Sequence, residues 1–521
     1  MTGTSNTMNG AEALVETLID CGVDTCFSNP GTSEMHFVAA LDKIGGMRCV
    51  LGLFEGVVTG AADGYYRMSD KPAVTLLHLG PGLGNGLANL HNAKKAHSGI
   101  INIIGEHATY HIEHDAPLTA DIEGIARPVS DWVCTSDSSA KIAAHGAEAV
   151  AQAGSYPGRI ASLILPANTA WEPSNGPATP QRASPAVPVA DATIEEIARV
   201  LSSGEPAVMV MTGHCLREGP LAVASQIAQK TGASLLGQMS NARLERGAGR
   251  TPLGCVPYAV DEALKTLAGF KHIICVGAKA PVAFFAYPDK PSRLWPQDSE
   301  VHVLATIEED GAQALEALAE RLNASSTTPL VQQRIVSDVP DQNSLDSLSI
   351  ATIIANSLPE NAIVVDEGIT ASRNMPQPTA GAAPHDWLQI CGGSIGAGFP
   401  LATGAAVACP DRQVVAIQAD GSGMYTLQAL WTQARENLKV VTVLLSNRAY
   451  AILKHELKNV GANAGQIATD MMELNRPDLD WVSMARGMGV TAARVSDTRT
   501  FIREYKAALA HEGPYLIEVL L

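Results

Sequence analysis

Three groups of residues in this sequence have types and spacings that could do chemistry. Asp420 and Asn447 each close a β-branched apolar run, VVAIQA before Asp420-Gly421-Ser422-Gly423 and VVTVLLS before Asn447-Arg448. A carboxylate and an amide oxygen are hard donors that suit a magnesium ion sharing phosphate oxygens. Gly421 and Gly423 let the backbone come close to an anion. A helix is predicted after them, with apolar positions at Tyr425, Leu427, Leu430, Trp431 and Ala434, and its N-terminus favours negative charge. Taken alone, so short a motif also fits an ordinary strand–turn–helix with a capping Asp.

Glu55 forms the second group. It follows CVLGLF (49–54) and precedes GVVTGAADGYYRM. A carboxyl at the end of a nearly all-apolar run, away from water, can pass protons. Its ordinary alternative is an acid favoured by a helix N-terminus. His78 forms the third, near the end of AVTLLHL (73–79) and before Gly80-Pro81-Gly82. A strand-end histidine can shuttle protons near neutral pH, or serve as a hydrogen-bonded framework group. His107, His111 and His114 cluster in GEHATYHIEHDAP, which either faces a site or is solvated.

The elements that must position these residues follow one rhythm. Apolar runs at 23–28, 49–54, 73–79 and 100–105 alternate with helical patterns, and the same alternation returns at 206–213, 233–238, 272–278 and 301–306. It returns again at 362–368, 414–421, 440–447 and 515–521. Such alternation predicts α/β architecture with parallel sheets covered on both faces. Stretches rich in Pro, Ser and Ala at 172–190, and polar ones at 323–347, read as linkers. The expected organisation is three doubly wound parallel-sheet domains at 1–172, 190–325 and 345–521.

The 521 residues carry a net charge of −17, which weighs against nucleic acid or an anionic membrane surface as partner. A local positive or metal-bearing pocket can still take a small anion. The nine cysteines are scattered without a C-x-x-C pair, so reduced thiols in a cytoplasm are expected. Met1 to Asn9 is polar with no signal-type apolar core after it, and no apolar run is long enough to span a bilayer.

The Asp420 segment resembles the thiamine diphosphate (ThDP) motif G-D-G followed by N-N, with Ala419 for the first Gly and Ser446 for the first Asn. FSNPGTSE (27–34), the Glu55 segment, LLHLGPGLGNGLANLHNA (76–93) and GGSIGAGFPLATG (392–404) extend the resemblance over almost the whole chain. It is to the decarboxylase and carboligase branch of ThDP enzymes, typified by benzoylformate decarboxylase and acetolactate synthase. The resemblance implies Mg2+ held by Asp420, Asn447 and the Ala449 carbonyl. It implies Glu55 as the acid that activates the aminopyrimidine, Ile395 as the prop under the cofactor, and the Gly393 carbonyl as a pyrimidine acceptor. Thr370, Gly421, Ser422, Tyr450, Asn29 and Pro30 would border the cofactor, and Thr32 and His78 would face substrate.

By the same resemblance the reaction is decarboxylation of a 2-oxo acid to an enamine, which is protonated to an aldehyde or joined to a second carbonyl acceptor. Phe285 stands where benzoylformate decarboxylase has its second histidine. Asp131 and Leu118 stand where acetolactate synthase has a lysine and a glutamine. GAKAPVAFF occupies the place of a flavin-contacting run, so no bound FAD is expected. The cofactor would lie between two copies of the chain, in a homodimer or homotetramer. The alternatives are a flavin-dependent oxidase of the same architecture and a catalytically silent ThDP-binding paralogue.

Overall fold

Runs of Val, Ile, Leu and Ala form the strands of three sheets in the computed structural model, which describes residues 8–339 and 341–521. Most of the polar start noted above, residues 1–7, therefore lies outside the described residues. The first sheet is wholly parallel. Its strands are β1 (Thr25–Ser28), β2 (Arg48–Leu51), β3 (Ala73–Leu77), β4 (Ile100–Glu106), β5 (Trp132–Thr135) and β6 (Ile160–Pro166), in the order β2-β1-β3-β4-β6-β5. β3, β4 and β6 are buried at every position, as strands covered on both faces must be.

The middle of the chain supplies β7 (Ala207–Met211), β8 (Ser234–Gly237), β9 (Leu244–Arg246), β10 (Gly254–Cys255), β11 (His272–Val276) and β12 (Glu300–Ala305). Five of these form a parallel sheet in the order β10-β8-β7-β11-β12. The last third supplies β13 (Ala362–Glu367), β14 (His385–Gln389), β15 (Val414–Ala419), β16 (Val440–Ser446), β17 (Thr491–Val495) and β18 (Tyr515–Leu520). Their order is β17-β18-β16-β15-β13-β14-β9.

This third sheet departs from the all-parallel expectation, because β9 joins β14 antiparallel at its edge. Side chains seat it there. Arg243 donates to Asp386 at 2.6 Å, and the Arg246 guanidinium lies over the Trp387 ring, 5.0 Å from its centre. Nothing in the three residues Leu-Glu-Arg announces a strand, since pairing with a distant partner creates it. Among the described residues, the segments 173–190 and 323–346 contain no helix and no strand beyond isolated bridges.

Three helices carry the loops of interest, α1 (Glu55–Ser69), α2 (Leu79–Ala96) and α3 (Gly398–Ala408). α1 and α3 cross with their backbones nearly in contact. A Cβ at Gly404 would stand 1.8 Å from the Ala61 carbonyl oxygen, and one at Gly64 would stand 2.2 Å from that of Leu401. Around this crossing the first and third sheets share one core, including Val58, Ala62, Leu77, Leu401, Ala405 and Val414.

Two turns differ from expectation. Gly80-Pro81-Gly82 is the first turn of α2 rather than a loop, because a helix start needs no proline N–H. The single helix expected after Gly423 is two short ones, Asp420–Gly423 and Ala429–Arg435. Between them the backbone makes tighter i to i+3 bonds, and the Thr426 hydroxyl donates to the Gly396 carbonyl at 2.9 Å.

At the start of β14, His385 is fully buried. Its Nδ1–H donates to the Ala383 carbonyl at 2.7 Å, and Nε2 is buried without a partner among the described residues. Burial, aided by Arg246, holds this imidazole down to about 3, from an ordinary 6.5. The fold therefore needs it neutral. That stability is complete above pH 6.5 and is lost as pH falls toward 3, by at most about 1.4 kcal/mol per unit. Urea midpoints measured from pH 7 to 4 should fall more steeply for the wild type than for His385→Leu. Parallel slopes would refute the assignment.

Candidate active site

Ligands of open parallel sheets bind beyond the strands' carboxyl ends, where the strand order reverses. Those reversals lie between β1 and β3, between β7 and β11, and between β13 and β15. The predicted residues gather at the first and the last. Asn29, Pro30 and Thr32 follow β1, His78 follows β3, Thr370 lies just past β13, and Asp420 follows β15.

A carboxylate and a histidine share the first crevice. Glu55 is the first residue of α1 rather than the end of a strand, since β2 stops at Leu51. It is buried, and its Oε2 accepts from the Asn85 amide at 3.0 Å. Gly82 separates it from His78. A Cβ there would stand 3.1 Å from Glu55 Oε1 and 3.3 Å from His78 Cβ, so any larger residue would intrude between the two. His78 Nδ1 lies 2.9 Å from Glu34 Oε2 and 3.5 Å from the Ser33 hydroxyl. Pairing with a carboxylate places the proton on Nδ1, which leaves Nε2 as the outward nitrogen. Glu34 is itself buried and also accepts from the Gly31 N–H at 2.8 Å. Thr32 is exposed, and it is Ser33 that comes within reach of the histidine. The Asn29 amide donates to the Gly52 carbonyl at 2.8 Å, which ties the exits of β1 and β2 together.

The loop bearing Gly393 and Ile395 is clamped from both sides. Asn92 donates to the Ser394 carbonyl at 2.7 Å and accepts from its N–H at 3.1 Å, while Asn89 donates to the Gly396 carbonyl at 3.2 Å. From the other side, buried Glu367 at the end of β13 accepts the N–H groups of Gly396, Ala397 and Gly398 at 2.8, 2.9 and 2.8 Å. It also accepts from Gln418 at 2.8 Å. These contacts satisfy the N-terminus of α3 with a negative charge, as the helix dipole favours. Burial pushes the Glu367 carboxyl up and the four donors pull it back. Gly393 has φ +76° and faces the Phe284 ring, 2.7 Å from where its Cβ would be.

The third group is the oxygen set. Asp420 and Asn447 follow β15 and β16, which are parallel neighbours. Buried Asp420 accepts from the Gly421 N–H at 2.8 Å and the Arg448 N–H at 2.6 Å. No basic side chain pairs with it among the described residues, and burial pushes its carboxyl up. A cation would offset that cost. Asn447 Oδ1 accepts from the Ala449 N–H at 3.0 Å, and Tyr450 closes over Gly421, its ring 2.5 Å from where a Cβ would be. Carboxylate, amide and carbonyl oxygens beside a glycine fit magnesium with a diphosphate. The Ser422 hydroxyl instead serves the framework, accepting from Gln418 at 2.7 Å and donating to the Ala419 carbonyl at 3.2 Å.

Backbone strain marks the same places. Ten described non-glycine residues have positive φ, and seven of them are Asp, Asn or His, types that tolerate it. The other three are Leu79 (+49°), Ile369 (+53°) and Arg448 (+55°). They adjoin His78, Thr370 and Asn447. Such strain costs about 1–3 kcal/mol per residue and gathers at functional sites.

A cavity of about 610 Å³ occupies the middle reversal, bordered by Thr212, Gly213, Gly277 and Ala278. Arginines on its wall are already engaged: Arg67 with Asp63 at 2.7 Å, Arg217 with Asp70 at 3.0 Å and Arg243 with Asp386 at 2.6 Å. His111 and His114 are exposed and in edge contact with one another, and no described bond joins them to the site residues. Asp131 has a framework role, accepting from the Ile160 N–H at 2.9 Å. Leu118 packs against the shared core.

Two family descriptions match the chain. "Thiamine pyrophosphate enzyme, N-terminal TPP binding domain" covers residues 8–125, and the corresponding C-terminal TPP binding domain covers 377–519. Over 99% of both chains it is 49% identical to a Mycobacterium tuberculosis protein named "Putative acetolactate synthase large subunit IlvX". The chain belongs to the thiamine pyrophosphate enzyme family. Benzoylformate decarboxylase of Pseudomonas aeruginosa is 28% identical, with 97% of this chain and 98% of that one covered. The structure of the ThDP-dependent 4-hydroxybenzoylformate decarboxylase of Rhodococcus jostii RHA1 superposes with a TM-score of 0.86 at 24% identity, over 98% of each chain. This ThDP enzyme thus lies in the acetolactate synthase and benzoylformate decarboxylase branch and has its three-sheet α/β fold.

Sequence reasoning missed Glu34, Asn85, Asn89, Asn92 and Glu367. All five stand in segments noted for other residues: Glu34 in FSNPGTSE, the three asparagines in LLHLGPGLGNGLANLHNA and Glu367 at the end of the 362–368 run. Nothing local marked their roles, because each acts through a contact 29 or more residues away in the chain.

Proposed function

We propose that this chain is a ThDP- and Mg2+-dependent 2-oxo acid decarboxylase or carboligase that does not use FAD. The observation that carries the reading is the pairing of Glu55 with a Glu34-oriented His78 across Gly82. Asp420, Asn447 and the Ala449 carbonyl would hold the metal and diphosphate. The clamped loop would set Gly393 and Ile395 against the cofactor ring, with Thr370, Gly421, Tyr450, Asn29 and Pro30 around it. Bound ThDP supplies the electron sink for the bond that breaks beside the carbonyl.

The residues of this chain handle the protons. Glu55 Oε2 is occupied by Asn85, so Oε1 is the atom that would exchange a proton with a bound cofactor ring. His78 holds a proton toward the substrate through Nε2, with Ser33 and Thr32 beside it. Glu55 and Asp420 lie in different domains, within the stretches matched by the N-terminal and the C-terminal TPP binding descriptions. That supports a cofactor held between the 1–172 domain of one copy and the 345–521 domain of another, around the central 190–325 domain. A homodimer or homotetramer in the cytoplasm follows from this reading. The partners are a 2-oxo acid and, for ligation, a carbonyl acceptor.

The test is CO2 release from a panel including pyruvate and benzoylformate, with and without ThDP and Mg2+ and with products identified. Cofactor-dependent release is expected, from protein that shows no visible flavin band. A strong flavin band would favour the oxidase reading. ThDP binding without any release across the panel would favour the silent paralogue.

A further inference from the structure

At the opposite, amino end of the central sheet lies a cluster that the reaction does not use. His272 opens β11, and Glu300 and His302 lie at the start of the neighbouring β12, with His272 in register with Glu300. His272 Nδ1 and His302 Nε2 face each other at 3.1 Å. Glu300 Oε2 is 3.8 Å from each of them. These separations define a triangle whose equidistant point lies about 2.1 Å from all three atoms, the length of a Zn–N or Zn–O bond.

The outer contacts have the arrangement of a metal site. His272 Nε2 lies 2.9 Å from Glu205 Oε2, so the proton on Nε2 is donated to that carboxylate and Nδ1 keeps its lone pair. His302 Nδ1 has Glu196 at 3.9 Å. Metal-bound histidines almost always hand their second N–H to a carboxylate or carbonyl, as His272 does to Glu205, while Glu196 stands near His302 beyond hydrogen-bond distance. Both rings are largely shielded, whereas Glu300, Glu205 and Glu196 are exposed, which leaves a path for an ion from solvent.

We propose that His272, His302 and Glu300 bind one divalent transition-metal ion, Zn2+ by donor type, with water completing a tetrahedral site. For the ion to bind, the proton now held between the two rings by His302 Nε2 moves to His302 Nδ1 on the Glu196 side, so that both inner nitrogens offer lone pairs. The ion would clip β11 to β12 and, through Glu205 and Glu196, to the loop before β7 and the helix Asp191–Leu201. The assignment is independent of the ThDP reaction.

The test uses chelator-stripped full-length protein with excess ThDP and Mg2+ present, titrated with ZnCl2 by calorimetry and with CoCl2 by visible absorption. One equivalent per chain is expected, with a tetrahedral Co2+ spectrum and a raised melting temperature that EDTA reverses. His302→Ala should abolish the saturable binding, while Asp420→Ala should keep it. Glu205→Gln, at an exposed position, should weaken it by about 10–100-fold. Absence of a saturable equivalent in wild type, or equal uptake by wild type and His302→Ala, would overturn the site and leave a histidine–histidine hydrogen bond in its place.

Discussion

Glu55→Gln is expected to keep ThDP and lose about 10²–10⁴-fold in turnover, the usual contribution of a positioned acid–base group. The substitution nearly preserves shape, because a glutamine oxygen can still accept from Asn85, which now donates to Glu55 at 3.0 Å. What disappears is the exchangeable proton. The readouts are steady-state CO2 release and, separately, ThDP affinity by calorimetry. Loss of turnover with affinity preserved supports the proposed role. Wild-type turnover would remove Glu55 from the proton path, and loss of ThDP binding would make it a positioning group.

Glu367→Ala should have the opposite signature, with structure lost first. The substitution strands three backbone N–H groups at the start of α3 and the Gln418 amide, all now bonded to one buried carboxylate. Each buried donor left unpaired costs about 1–3 kcal/mol, so a destabilisation of several kcal/mol is expected, read as a lower urea midpoint. The same loss frees the loop that carries Gly393 and Ile395. ThDP affinity should therefore fall, and the residual kcat at saturating ThDP should fall less than in Glu55→Gln. A variant with unchanged stability and ThDP affinity would show that Asn89 and Asn92 suffice to set the loop.

The two variants separate what the chain does to protons from how it holds the site. His78 sits between these roles. Its orientation rests on Glu34, which lies in the adjacent crevice loop rather than on its own helix.

Much of the architecture was legible in the sequence because strands in parallel sheets are local apolar runs, and among the described residues twelve of eighteen strands coincide with such runs. The places of Asp420 and Asn447 were legible for the same reason. Each ends a β-branched run, and two successive strands of a β–α–β unit that lie side by side bring their carboxyl ends together. The boundaries were less legible. Leu51 to Glu55 reads as continuing strand, yet the chain leaves the sheet at Leu51 and Glu55 begins a helix.

Sequence by itself thus determined the fold class, the places of the Asp420 and Asn447 oxygens at neighbouring strand ends, and the presence of an acid and a histidine after strands of the first sheet. Tertiary structure alone decided that Glu34 orients His78 and that Asn85 engages Glu55. It also decided that Glu367 caps α3, that β9 leaves its own segment for a distant sheet, and that two histidines and a glutamate meet at the sheet's other end. The physical reason is common to all of these. A buried polar group must find its partner wherever the packed chain brings one, and that pairing leaves no periodicity or spacing in the sequence from which to read it.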